Sequence, residues 1–136
     1  MTKTNSFTSD EGSCDVTIPT DADLSGAQYC FVKRDATDGK IQIAGANEKT
    51  FGILQNAPNG SSADADAIVR VQGLSKLKIN ETVTPGQFLT PIATYGYGEV
   101  CDAANEEYGA IAMADGVQND LITVLIAHGE VTASDA

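Results

Sequence analysis

The sequence predicts a small all-β domain, a sandwich or barrel, preceded by an extended N-terminal arm. Three observations lead there. Short runs rich in β-branched and aromatic residues recur along the chain. Glycine, proline, Asn-Gly and Asp-Gly signals separate those runs at close intervals. No helical periods of about 10–15 residues alternate with them, which argues against a βαβ architecture. At 136 residues the chain has room for one domain.

Residues 1–26 are polar and broken, with Val16 and Ile18 isolated and Pro19 and Gly26 near the end. Such a stretch cannot offset its own ordering entropy, so it reads as an arm that orders against a neighbouring subunit or partner. The β domain is placed at residues 27–129. Gln28-Tyr-Cys-Phe-Val32 is β-prone, Asp38-Gly39 is a turn, and Lys40-Ile-Gln-Ile-Ala44 alternates with period two. Thr50-Phe-Gly-Ile-Leu-Gln55 is a third run, stopped by the turn residues of Asn56-Ala-Pro-Asn-Gly60. A polar loop over 61–66 precedes Ala67-Ile-Val-Arg-Val-Gln72, which turns at Gly73 into Leu74-Ser-Lys-Leu-Lys-Ile79. There Ser75, Leu77 and Ile79 share one face and Lys76 and Lys78 the other, and Leu74 falls on the lysine face.

Pro85-Gly86 turns into the short strand Gln87-Phe-Leu-Thr90, and Thr94-Tyr-Gly-Tyr-Gly-Glu-Val100 reads as a hairpin tip with its return strand. Cys101 to Tyr108 has the composition of one or two helical turns at most. Gly109-Ala-Ile-Ala-Met-Ala114 is a compact apolar run, closed by Asp115-Gly116. Leu121-Ile-Thr-Val-Leu-Ile-Ala127, the most hydrophobic run, reads as a central strand buried on both faces. Residues 130–136 form a polar tail.

Charge excludes function classes. Asp and Glu total 19 against 8 Lys and Arg, a formal net charge of -11. The asymmetry is strong: residues 79–136 carry nine acidic groups and no basic one. Such a chain is a poor holder of nucleic-acid phosphates, and the acidic half serves either solubility or contact with a basic partner. No run of about 18 apolar residues predicts a membrane helix, and the first ten residues lack the apolar core of a secretion signal.

Catalytic machinery is thin. His128 is the single histidine, which points to a structural or surface role. Cys14, Cys30 and Cys101 show no zinc spacing, so no zinc or other cysteine-held metal site is expected. Asp10-Glu11, Asp21-x-Asp23, Asp64-x-Asp66 and Glu106-Glu107 lack a calcium-loop pattern and read as solvated loops, with a weak cation site as the sharper alternative. A triad of His128, a carboxylate and Ser75 has nothing in the sequence to assemble it. Tyr95-Gly-Tyr-Gly98 lacks a dinucleotide fingerprint and is either a flexible tip or two amphipathic anchors. Phe7 is an isolated aromatic in the arm, either incidental or an anchor on a neighbour. Candidate partner-binding residues are therefore Phe7, Val16, Ile18, Tyr95 and Tyr97.

A family resemblance enters through an ordered series of phrases. Phe51-Gly-Ile-Leu-Gln-Asn-Ala-Pro58, Ala67-Ile-Val-Arg-Val-Gln-Gly-Leu-Ser-Lys76 and Val83-Thr-Pro-Gly-Gln-Phe-Leu89 resemble the small capsid decoration (cement) proteins of tailed bacteriophages. Gly109-Ala-Ile-Ala-Met-Ala114 and Asp120-Leu-Ile-Thr-Val-Leu125 are similar to the closing strands of that family. Asn80-Glu81 stands where the family usually has a glycine, and residues 95–108 have no counterpart.

The resemblance implies a β-barrel or β-tulip-like domain, a homotrimer, on the outer surface of a phage head assembled in the host cytoplasm. It implies a structural virion protein with no catalytic centre, no cofactor, and the major capsid protein as partner, whose subunits it bridges against internal pressure. The arm would reach to a neighbour. Two other readings share the virion setting: a host-glycan-binding accessory domain using Tyr95 and Tyr97, or a minor neck or tail protein.

Overall fold

The computed structural model describes residues 12–132, and within them the chain is strand and turn without helix. Ten strands follow in order: β1 Cys14–Thr20, β2 Phe31–Arg34, β3 Ile41–Ile43, β4 Gly52–Leu54, β5 Ala65–Gln72, β6 Leu74–Lys78, β7 Phe88–Pro91, β8 Gly98–Val100, β9 Glu107–Ala112 and β10 Leu121–Glu130. They make two antiparallel five-stranded sheets, ordered β1-β5-β4-β2-β3 and β6-β10-β9-β7-β8. The all-β expectation holds, in the form of a small sandwich.

The chain changes sheets once, at Gly73 between β5 and β6. Gly73 has φ +97°, and a Cβ there would stand 2.9 Å from Ser13 Cα, so the corner requires glycine. The Ile126 amide donates to Gly73 O at 2.9 Å and ties the corner to β10. The second sheet curls until its edges meet: an isolated parallel bridge joins Ile79, just after β6, to Gly98 of β8.

The core has two parts, because β2 and β4 are buried on both faces. Phe31 and Ile53 pack into the cluster facing the second sheet, with Leu77, Leu89, Ile122 and Val124. Their neighbours Val32 and Leu54 point the other way, against Leu24, Cys30, Ile41 and Val69. Gly52 permits this double burial: a Cβ there would press into the Arg70 carbonyl oxygen.

Four expectations are corrected. Cys14–Thr20, read as part of the 1–26 arm, is an edge strand of the first sheet. Its register sets Val16 beside Val69 and Ile18 beside Ala67, so both half-buried side chains flank the second cluster. Pro19 is tolerated because edge strands do not need every N–H. The segment 101–108 forms no helix: Glu106 Oε1 accepts the Asp102 and Ala103 amides in a turn, and Glu107 opens β9.

β10 is an interior strand of its sheet but is buried on one face only. Ile122, Val124 and Ile126 face the core, whereas Leu121 and Leu125 are 48% and 38% exposed. Its strand also runs into the segment read as tail, through Glu130, and Val131 beyond it is buried.

Candidate interaction surface

The residues with the most to offer a partner converge on the seam where β6 and β8 meet. Period-two alternation on β6 turns Ser75 and Leu77 inward and Lys76 and Lys78 outward, as the sequence predicts. The Lys78 ammonium stands 5.0 Å from the Tyr97 ring centroid, and that ring stacks on Tyr95 at 5.5 Å. Lys76 lies 5.9 Å over Tyr29. Cation–π contact of this kind stabilises by about 0.5–1 kcal/mol at exposed sites. Tyr95 remains 58% exposed at the hairpin tip, and Leu121 is the cross-strand neighbour of Lys78.

The other end of the seam is acidic. Gly98 turns inward, so Tyr97 and Glu99 project from the same side of the chain. Burial pushes the Glu99 carboxyl above its ordinary range, and the nearby charges of Glu81, Glu106 and Asp102 push it in the same direction. Glu81 is held by the Val100 amide at 2.9 Å. The seam is thus dipolar, cationic and aromatic at one end and anionic at the other.

The outer face of the second sheet adds an apolar row. Leu125 pairs with Leu74 on one side and Ile111 on the other, and Ile111 pairs with Phe88. Phe88 stacks on Tyr108 at 4.5 Å.

Of the sequence-predicted partner residues, the structure brings Tyr95 and Tyr97 together. It places Val16 and Ile18 on the first sheet instead, and Phe7 lies outside the described residues. The signals missed by the sequence are Tyr29, whose ring underlies Lys76, and the outward leucines of β10.

The chemical candidates are dispersed. Ser75 Oγ donates to Lys76 O and accepts from Gln55 Nε2, which is a structural role. His128 instead borders a pocket of about 280 Å³ with Lys49, Thr50, Glu107, Tyr108 and Gly129. Asp64 pairs with Lys40 at 3.1 Å and Asp23 bonds Ser25, while Asp10-Glu11 lies outside the described residues. Among the described residues no three His, Cys, Asp or Glu side chains stand where they would hold a metal. Cys30 and Cys101 are buried, which pushes their thiols up to about 11 and about 12, so neither is a thiolate near neutrality.

No family model matches the chain, and no curated protein sequence matches it. A solved structure does: the crystal structure of the head fiber gp8.5 N base in bacteriophage phi29 is similar over 88% of this chain and 98% of that chain, with a TM-score of 0.65. What the two share is a fold. Their sequences are 14% identical, so the likeness rests on strand arrangement rather than on retained side chains.

Proposed function

We propose that the protein is a structural component of a phage virion, a homotrimer that sits on the outer surface of the head and stabilises the shell by bridging major capsid protein subunits. The observation that carries this reading is the near end-to-end fold likeness to a phage head-fiber base. The ordered capsid-decoration phrases in residues 51–125 support the same setting. The product of such a protein is binding energy rather than chemistry. Many modest contacts repeated by symmetry give avidity that no single contact has.

In this reading the residues ahead of β1 act as an arm that orders on a neighbouring capsid subunit and covers its surface. Removing residues 1–11 spares β1 and its pairing with β5.

The test adds purified protein to heads that lack it, then reconstructs the particles and follows shell disruption on heating. Symmetric density on the outer shell, with disruption shifted to higher temperature, is expected. Deleting residues 1–11 should reduce occupancy. Density confined to the neck or tail, or no bound density, would overturn the reading.

A further inference from the structure

We propose that the protein self-associates along the β6/β8 seam, the lysine–tyrosine end of one copy seated on the acidic end of the next. This rests on the homotrimer reading for the number of copies only. The contact is argued from the seam itself.

Two surfaces on the seam are each incomplete in the single chain, and they complement each other. Among the described residues, Lys76 and Lys78 have no carboxylate within ion-pair distance, although acidic groups outnumber basic ones by 19 to 8. At the other end, Glu81 and Glu106 are fixed by backbone amides around Glu99, and the charges of Glu81, Glu106 and Asp102 repel the Glu99 carboxylate. Among the described residues no ion pair joins a cation to any of the four. A cation supplied from outside relieves that repulsion, and an anion supplied from outside completes the lysines.

The lysine end also exposes apolar surface suited to the centre of a contact: Tyr95 at 58% and Leu121 at 48%. A single copy cannot fold one end of its seam onto the other, because both lie on the rigid rim of one sheet. A second copy can. The contact joins non-identical patches, so it is heterologous, and repeated copies close into a ring when the rotation permits.

The test is sedimentation of the full chain at low and high salt, with charge swaps. Lys76→Glu with Lys78→Glu reverses one end. Glu99→Lys with Asp102→Lys reverses the other and leaves alone the Glu81 and Glu106 carboxylates that accept backbone amides. Each double variant should weaken association about tenfold or more. An equimolar mixture of the two should associate more tightly than either alone, as mixed pairs, because a ring of three cannot alternate the two variants throughout. Raising the salt should weaken the wild-type association, since exposed pairs are screened. Circular dichroism confirms that each variant is folded.

A wild-type monomer at about 100 μM, well above the dissociation constant of a standard specific interface, would overturn the contact. So would swaps that leave association unchanged, or a mixture that associates no more tightly than either variant alone. A trimer indifferent to the swaps would keep the trimer reading and sink this contact. A dimer controlled by the swaps would do the reverse.

Discussion

Ile122 and Leu121 are chain neighbours that project to opposite faces of β10, and replacing each by alanine separates a strand buried on two faces from one buried on a single face. Ile122 is 4% exposed within the inter-sheet cluster. Truncating it removes three carbons from a packed interior and leaves a cavity, a change that costs about 2–5 kcal/mol. Leu121 is 48% exposed. Full burial of a leucine stabilises by about 1.5–3 kcal/mol, so half-burial, less the retained Cβ, leaves about 1 kcal/mol or below and no cavity.

With a urea slope of about 1.5 kcal/mol/M, the midpoint should fall by roughly 2 M for Ile122→Ala and by less than about 0.7 M for Leu121→Ala. Far-UV circular dichroism reports the transition. Tyrosine fluorescence is a second probe, since the chain has 4 tyrosines and no tryptophan. The measurement is made over a dilution series, because association through Leu121 would add a concentration-dependent increment. If Leu121→Ala costs as much as Ile122→Ala at the highest dilution, the outer face of β10 is covered within a single chain and the one-faced reading fails.

Three further outcomes are expected. Iodoacetamide on the native protein should modify exposed Cys14 and spare Cys30 and Cys101 until denaturant is added, as peptide mass mapping will show; rapid labelling of all three would contradict the buried thiols. Gly60→Ala places a Cβ against the Thr20 carbonyl oxygen and 3.0 Å from Asp21 Cα, backbone that has little freedom to yield, so thermal melts should show a loss of about 1–3 kcal/mol. The raised Glu99 pKa means that the folded state holds this proton more tightly than the unfolded chain does. Its ionised form therefore costs stability above the folded pKa, and the cost disappears as pH falls below the ordinary value of 4.5. Glu99→Gln should accordingly stabilise modestly near neutrality and gain nothing at pH 3; an equal gain at both would exclude the electrostatic cause.

Local pattern and tertiary context divided the determination of this protein unevenly. The β class, most turns and the inward and outward faces of β6 follow from period-two alternation and from Gly, Pro and Asn-Gly signals. These act within a few residues and survive in one dimension. The alternation Val16, Ile18, Thr20 was also present, but strand status there depends on pairing with β5, some fifty residues away, and Pro19 masked it. In 101–108 the helical composition lost because Glu106 satisfies the turn amides and β9 is recruited by β7 and β10.

The interaction surface divided in the same way. Tyr95 and Tyr97 stood out as aromatics at a glycine-rich tip, and Lys76 with Lys78 as one face of a strand. Nothing local says that the tip lies against Lys78, or that Tyr29 underlies Lys76. By itself the sequence determined the class of fold, the acidic excess and the faces of individual strands. Only the tertiary structure decided which faces meet a neighbour and which remain bare, as on β10, because burial is a property of what packs across a strand and hydrophobicity along the chain does not specify it.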